Sequence, residues 1–232
     1  MGLKDELIKD CATIHAGGWS VVDARVVPAP TDISLGSSAK KLASAAVLYA
    51  DLDGSTSMVD TKKWWFSAEI YKSFLNAVAK IVKSENGVIT AYDGDRLMAI
   101  FIESNNCDSA VRAALKIRWA TLKIINPAIK ARYPATDFAA RYTTGIDISD
   151  LHAVRTGVRG DNDLVWVGRA ANYAAKLTTL SPDTPTWITK DVYDRLSSKW
   201  KVTDGKAMWK NWAWRPMKDF PILSSTWELS IS

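Results

Sequence analysis

The sequence contains few of the residues that build disulfide frameworks and zinc centres. Among its 232 residues are only two cysteines, Cys11 and Cys107, and only two histidines, His15 and His152. The cysteines lie far apart and form no CxxC pair, which argues against a disulfide framework and against a structural zinc site. Two isolated histidines also make histidine-rich metal chemistry a poor explanation of this chain.

Long apolar stretches and a leader-like opening segment are missing as well. We therefore predict a soluble, cytoplasmic protein that contacts no membrane. The net charge of +5 is mild and mixed in sign. Because no basic run or familiar nucleic-acid motif occurs, nucleic acid is not an expected partner. An ordinary solvated surface explains the charge best, and an anionic small molecule is the next explanation.

Tryptophan, in contrast, is abundant. The chain has 11 tryptophans, and five of them crowd its last part: Trp200, Trp209, Trp212, Trp214 and Trp227. Because tryptophan carries a large apolar surface, we expect these residues to pack in the core or at a dimer interface rather than to stack on bases.

The hydrophobic pattern alternates between strand and helix periods and predicts an α+β fold. A linker rich in proline, serine and glycine is expected at residues 26–38, and a turn at residues 161–163. The expected order is β-α-β-β-α-β followed by β-α-β, a ferredoxin-like core with C-terminal β additions. Predicted helices cover residues 3–14, 64–84, 109–131, 168–180 and 190–199, the last with Thr189 as N-cap. Predicted strands cover residues 45–52, 87–92, 97–102, 138–148, 151–158 and 186–188, with 151–158 pairing back on 138–148.

Two short acidic segments indicate a metal-binding site. Residues 46–56, AVLYADLDGST, deliver Asp51 from an apolar strand into a Gly-Ser-Thr turn. Residues 88–101, VITAYDGDRLMAIF, join two apolar runs through a turn that contains Asp95. Carboxylates at strand ends can hold Mg²⁺, which usually takes one or two of them together with substrate phosphates.

We expect Asp51 and Asp95, together with the main-chain carbonyl of Leu52, to share two divalent ions. Asp53 and Asp93 are explained better as turn aspartates that local backbone donors satisfy. The turn and helix start at Gly54, Ser55 and Thr56 offer free N–H groups to phosphate oxygens, although no Walker sequence occurs anywhere in the chain.

A third segment, VWVGRAANYAAKL at residues 165–177, places polar side chains on one helix face. Asn172 and Lys176 are spaced i and i+4, and Arg169 lies three residues before Asn172. A solvated polar stripe is the alternative explanation. The small alanines at positions 170, 171, 174 and 175 favour close packing around a ligand or a partner instead.

Taken together, these segments resemble the catalytic domain of class III nucleotidyl cyclases. Residues 49–56 read YADLDGST, where family members carry roughly F-A-D-I-x-G-F-T. Residues 94–99 read GDRLMA, matching a G-D followed by a small apolar strand. Residues 168–177 read GRAANYAAKL, matching G-x-x-V-N-x-A-A-R-L. A late V-K-G and Y-E-L pattern is echoed more weakly by residues 217–219 and 227–229.

The resemblance implies a homodimer with active sites at the interface between the subunits. Asp51, Leu52 and Asp95 of one subunit would hold two Mg²⁺ or Mn²⁺ ions, and Asn172 and Lys176 would come from the other. One ion would activate the ribose 3′-hydroxyl for attack on the α-phosphate, and the other would neutralise the triphosphate and the departing pyrophosphate.

The resemblance also implies a domain division and a nucleotide-binding set. Residues 45–232 would form the catalytic domain with a Trp-rich C-terminal extension, and residues 1–44 an N-terminal helix and linker arm. The nucleotide would be bound by Tyr49, Gly54, Ser55, Thr56, Ala91, Arg96, Val165 and Lys218.

The sequence departs from the family pattern in ways that bear on substrate choice. Lys176 stands where the family has a transition-state arginine, so Arg169 is expected to share that role. Ala91 and Val165 occupy the two positions at which related cyclases read a purine. Because neither side chain forms hydrogen bonds, a purine substrate is disfavoured.

A pyrimidine substrate, UTP before CTP, is therefore expected, as in the pyrimidine cyclases of bacterial antiphage defence, whose cyclic product is read by a separate effector. Tyr49, Tyr92 and Trp166 have the bulk to narrow the pocket. Thr90 and Arg96 have hydrogen-bond donors for the pyrimidine carbonyl groups.

Three other functions would each explain part of the sequence. DLDGST resembles the signature of haloacid-dehalogenase-type phosphatases, with Asp51 as nucleophile and Asp53 as acid, but their later motifs are hard to place here. A diguanylate cyclase shares a palm-like core, yet its hairpin matches residues 92–96 poorly. The non-enzyme alternative is a degenerate cyclase domain that only binds a nucleotide or forms a dimer.

Overall fold

One large mixed sheet organises the computed structural model, which describes residues 2–231. A separate two-stranded hairpin, formed by Val202–Thr203 and Lys206–Ala207, lies near the C-terminus. The helices are α1 (Leu3–Ala16), α2 (Ser55–Thr61), α3 (Trp64–Ser84), α4 (Asn106–Ala120), α5 (Asn126–Arg132), α6 (Arg169–Leu177) and α7 (Lys190–Arg195). The strands are β1 (Ser20–Asp23), β2 (Ser38–Asp53), β3 (Val88–Asp93), β4 (Arg96–Phe101), β5 (Arg141–Val158), β6 (Asp161–Val167), β7 (Thr186–Thr189), β8 (Val202–Thr203), β9 (Lys206–Ala207), β10 (Lys210–Trp214) and β11 (Phe220–Ser225).

The strand order confirms the predicted α+β, ferredoxin-like core. The main path runs β10-β11-β7-β5-β2-β4-β3, with β1 paired to β2 and β6 paired to β5. Its β5-β2-β4-β3 part is the sheet of a βαββαβ unit, and β7, β11 and β10 are the predicted C-terminal additions. The central strand β2 is antiparallel to β4 and β5, while β1 pairs in parallel with the first residues of β2.

The two faces of the sheet have different coverings, because alternate residues of a strand point to opposite sides. On one face Leu48 packs with Phe74 of α3 in the main core, where both side chains are fully buried. On the other face Val47 and Met98 pack with Ala174 of α6. Full burial of a large apolar side chain contributes about 1.5–3 kcal/mol, so both layers hold the sheet firmly.

Several predicted boundaries move in the structure. The strand predicted at 45–52 begins at Ser38, because β2 keeps pairing with β5 beyond a register shift between Leu42 and Ala45. β2 therefore crosses residue 44 without ending, and the proposed division there stays a prediction. The helix predicted at 109–131 starts at Asn106 and continues through a π-helical turn, Thr121–Ile125, into α5.

The prediction that residues 151–158 pair back on 138–148 was wrong. Both segments belong to the single strand β5, which pairs with β6 instead. Ser149 and Asp150 look like turn residues locally, but pairing with the long β2 keeps them extended, with Ser149 opposite Ala45. The reversal comes just before residues 161–163, which open β6.

Smaller differences concern the later helices and the tryptophans. The helices predicted to end at residues 180 and 199 end at Leu177 and Arg195, and Thr189 caps the latter helix by accepting from the Val192 N–H. Of the C-terminal tryptophans, Trp209 and Trp214 are buried in the core as expected, whereas Trp212 is exposed. Within residues 2–231, the helices are too short or too polar to cross a membrane.

Candidate active site

The first candidate metal ligand, Asp51, lies half-buried near the end of β2 on the α6 side of the sheet. Its carboxylate oxygen Oδ2 is 3.3 Å from the hydroxyl oxygen of Thr178. Burial raises the pKa of Asp51, and the negative charge of Asp95 raises it further, while Arg96 and the Thr178 hydroxyl oppose the shift. The structure therefore brings two carboxylates together at a partly dry position, where a cation would relieve their repulsion.

The β3–β4 hairpin supplies the other acidic residues. Its register places Arg96 directly opposite Asp51 on one side and Asp93 on the other. The turn between them uses Gly94 in the left-handed region, with φ of 62°, a conformation that favours glycine. The Arg96 guanidinium pairs with Asp93 at 2.5 Å, so a side chain rather than the backbone satisfies that aspartate.

The other aspartate of the first motif is satisfied in a similar way. Asp53 is paired with Arg141, 3.5 Å from the arginine Nε, on the neighbouring strand. Gly54 follows with φ of 71° and opens the short helix α2, whose first turn has no side-chain cap. Ser55 and Thr56 form that uncapped first turn, so its N–H groups remain available to a phosphate.

A row of side chains next to the carboxylates lines the α6 side of the sheet. Tyr49 is opposite Met98, and Met98 is opposite Ala91, so all three share one face. Tyr49 is half-buried and its pKa is raised mainly by burial. The Arg96 guanidinium lies 5.6 Å from the centre of the Tyr49 ring. Ala91 is exposed at the β3 end of this row, and its methyl group can form no hydrogen bond with a base.

Helix α6 lies on the same side of the sheet but presents its polar residues away from it. Ala170, Ala174 and Leu177 are fully buried, whereas Asn172 and Lys176 are exposed. Close packing depends on Gly145 of β5, which faces the main-chain carbonyl of Ala174. The α6 end contacts Asp51 through Thr178, and residues two apart on a helix do not share a face. Lys176 therefore does not face the Asp51 of its own chain.

Arg169 has a different environment from Asn172 and Lys176. Its guanidinium forms hydrogen bonds with the buried carboxylate of Asp147, at 3.0 and 3.2 Å, and with the Ile148 carbonyl, and also pairs with Asp191. Burial raises the pKa of Asp147, while Thr189 and Arg169 oppose the shift. This network ties the start of α6 to β5 and α7.

The remaining predicted site residues are distributed over the surface. Val165 pairs with Val154, whereas Asp51 pairs with Thr143, so about 35 Å of extended β5 separates the two positions. Lys218 is exposed and follows Met217, whose sulfur lies 3.8 Å from the Lys176 ammonium nitrogen. One chain therefore carries two separate groups, one around Asp51 and one around the exposed face of α6.

The donor set around Asp51 suits a hard cation that also binds substrate. Across residues 2–231 there is no cluster of three or more histidine, cysteine, aspartate or glutamate side chains that could cage a metal. Two carboxylates and the Leu52 carbonyl fit Mg²⁺ or Mn²⁺ whose remaining coordination positions are filled by phosphate oxygens.

The sequence did not predict the contacts of Thr178 and Asp147, because these contacts join residues that lie far apart in the chain.

The chain is similar to several known nucleotidyl cyclases. A uridylate cyclase from Burkholderia cepacia is 51% identical over 232 residues, 100% of both chains. One from Xanthomonas perforans is 49% identical, also over 100% of both chains. The solved structure of the guanylyl cyclase Cya2 matches with a TM-score of 0.67 at 14% identity, covering 84% of this chain and 98% of its own. No protein-family model matches the chain.

The sheet order and the positions of the three motifs define a class III nucleotidyl cyclase, a lyase that cyclises a nucleoside triphosphate. Within that class, the chain belongs to the family of the uridylate cyclases that it matches over its whole length. The phosphatase alternative is not supported, since it needs parallel strands around the acidic motif, and at Asp51 both strands paired with β2, β4 and β5, are antiparallel to it.

Proposed function

We propose that the protein converts UTP to 3′,5′-cyclic UMP and pyrophosphate, with CTP as the next candidate substrate. The observation that carries the base assignment is the row formed by Tyr49, Met98 and Ala91 beside the carboxylates. The names of the full-length relatives support the same substrate.

Asp51 and Asp95, with the Leu52 carbonyl, hold two divalent ions, Mg²⁺ or Mn²⁺. When bound, these ions supply Lewis-acid activation of the 3′-hydroxyl and neutralise the triphosphate. The ribose 3′-hydroxyl gives its proton to solvent water and its oxygen bonds to the α-phosphorus, while the bond from that phosphorus to the bridging oxygen breaks and pyrophosphate leaves. Repulsion between the two carboxylates at a half-buried position supports this assignment.

The active unit is a homodimer with composite sites. Asn172, Lys176 and Val165 belong to the site whose carboxylates come from a second copy. The support is geometric, because Asn172 and Lys176 are exposed on α6, while the contact of this helix with its own Asp51 is made by Thr178 on another face. The long distance between Val165 and Asp51 along β5 likewise supports placing these two residues of one chain in different sites.

Lys176 is the cation that stabilises charge in the transition state, and Asn172 orients the ribose. Arg169, the other candidate, is already engaged by Asp147 and Asp191 and would have to break both ion pairs to reach a substrate. We therefore assign Arg169 a positioning role at the start of α6.

The triphosphate is bound by the N–H groups and hydroxyls at Gly54, Ser55 and Thr56 and by Lys218. The uncapped start of α2 supports the first part of this assignment, since unsatisfied N–H groups attract anions. Lys218 adjoins Lys176 through Met217, so both ammonium groups belong to the same surface.

The base lies against Tyr49, and Arg96 donates to a pyrimidine carbonyl oxygen. Trp166, which packs on the same side of the sheet as Tyr49, narrows the space left for a two-ring purine. Tyr92, which the sequence also suggested for this role, pairs with Leu97 and therefore lies on the opposite face of the sheet, beside α3. Ala91 and Val165 offer a purine no hydrogen bond, and a site without those donors has no reason to select one. As further proposals, the enzyme acts in the cytoplasm and its product signals phage infection to a separate effector.

The test is a comparison of initial rates with UTP, CTP, GTP and ATP at equal concentration with Mn²⁺. We expect UTP to be converted fastest and CTP next. Faster cyclisation of ATP or GTP would contradict the base assignment. Equal rates with all four would show an unselective pocket, which also contradicts it.

A further inference from the structure

A buried hydroxyl lies beside Asp51 at the end of α6. Thr178 is 7% exposed, and its Oγ1 is 3.3 Å from Oδ2 of Asp51 and 2.7 Å from the carbonyl oxygen of Ala175. Asp51 and Thr178 are 127 positions apart in the chain, so the contact is made by the tertiary fold. Among residues 2–231, the Asp51 carboxylate has no other hydrogen-bonded partner, which leaves Oδ1 free for a cation.

We infer that Thr178 is a positioning residue that holds the Asp51 carboxylate in the orientation that binds divalent cations. The inference rests on the proposed role of Asp51 as a metal ligand. The hydroxyl has one proton and two acceptors, and an ionised carboxylate is a stronger acceptor than a neutral carbonyl. A hydrogen bond to one oxygen fixes the carboxylate rotation and directs the other oxygen toward the metal.

The surroundings keep this hydroxyl in place. Thr143 is the cross-strand partner of Asp51 on β5, and its hydroxyl lies 3.4 Å from the Leu180 carbonyl just after α6. Gly145 allows α6 to pack directly against the same strand. Thr178 is thus fixed from both sides relative to the strand opposite Asp51, as a residue that orients a metal ligand requires.

The chain offers a matched control in the next residue. The Thr179 hydroxyl lies 2.8 Å from the Lys176 carbonyl, much as the Thr178 hydroxyl lies 2.7 Å from the Ala175 carbonyl, but Thr179 is exposed and forms no hydrogen bond with Asp51. Thr178→Val and Thr179→Val therefore each replace a hydroxyl beside a main-chain carbonyl at the helix end with a methyl group. Only the first also removes the contact with the carboxylate.

The experiment measures Mn²⁺ affinity without turnover, from the electron paramagnetic resonance signal of free Mn²⁺ titrated with protein. We expect Thr178→Val to weaken binding about 10- to 100-fold. Thr178→Ser and Thr179→Val should bind Mn²⁺ within about threefold of the unmodified protein. Circular dichroism confirms that each variant is folded.

The Asp51→Asn variant distinguishes failure of the Thr178 inference from failure of the proposal that Asp51 is a metal ligand. If Asp51→Asn binds Mn²⁺ as well as the unmodified protein does, Asp51 is not a ligand and both ideas fail. If Asp51→Asn loses binding but folded Thr178→Val retains it, the positioning role alone is wrong. Equal losses in Thr178→Val and Thr179→Val would also contradict it, because the effect would then come from the helix end. Should Thr178→Val not fold, loss of Mn²⁺ binding by folded Thr178→Ser would overturn the inference.

Discussion

Gly145→Ala should inactivate the enzyme while leaving its fold intact. A Cβ at position 145 would lie 2.6 Å from Cβ of Leu177 and even closer to the Ala174 carbonyl oxygen. Ordinary contacts begin near 3.4 Å. The obstacle is partly the α6 backbone rather than a flexible side chain, so the helix must move away from β5 by about 1 Å.

The size of the effect follows from that displacement. Helix α6 is fixed at its start by the Arg169 network, so the movement is greatest in the part that bears Lys176. A misplacement of 1 Å in a positioned catalytic group can cost about 100-fold in rate. Overpacking of this kind costs about 1–3 kcal/mol in the free energy of unfolding, which lowers the melting temperature of a chain of this length by several degrees.

The assay is steady-state pyrophosphate release with UTP, made well below the melting temperature of the variant. Gly18→Ala is the matched control, since a Cβ there meets nothing within 4 Å and the rate should be unchanged. A folded Gly145→Ala enzyme with a rate within twofold of the unmodified protein would refute the argument that α6 packing sets the site.

Three further predictions concern single side chains. Burial raises the pKa of Asp51 above 3.8 in the folded protein. Ionisation of this carboxyl group therefore lowers the stability of the metal-free protein as the pH rises from about 4 through the raised pKa. Asp51→Asn should therefore melt at a higher temperature than the metal-free parent at pH 7 but not below pH 4, and a lower melting temperature at pH 7 would be inconsistent with this. Arg169→Leu should lose about 3–5 kcal/mol of stability in urea unfolding, because it leaves the buried Asp147 unpaired. Lys176→Leu, at an exposed position, should lose activity while its free energy of unfolding changes by no more than about 0.5 kcal/mol. If Arg169→Leu kept its full stability, a direct catalytic role for Arg169 would be favoured instead.

The local sequence pattern was enough to predict elements whose apolar residues recur at a regular, short spacing along the chain. The helix predicted at 64–84 has the same bounds in the structure, because its apolar residues recur at helical spacing over many turns. The hairpin around Gly94 was predictable for a similar reason, since two apolar runs flank an acidic turn.

Features that depend on distant contacts were not predictable. The turn-like Ser149 and Asp150 remain in β5 because β2 lies alongside them. Arg169 looked like part of the catalytic face, and only the folded structure brings Asp147 and Asp191 to it. The sequence pattern also cannot tell which residues of α6 face the chain's own Asp51, since that depends on how the helix packs on the sheet.

The most direct test of the account is to mix two inactive variants, Asp51→Ala and Asn172→Ala. If each site combines carboxylates from one copy with Asn172 from the other, a mixed dimer has one intact site and one doubly altered site. Random exchange of subunits in an equal mixture should then restore roughly a quarter of the UTP cyclisation rate. If subunit exchange is confirmed by mass spectrometry and the mixture remains inactive, the site is not shared between copies and the account is wrong.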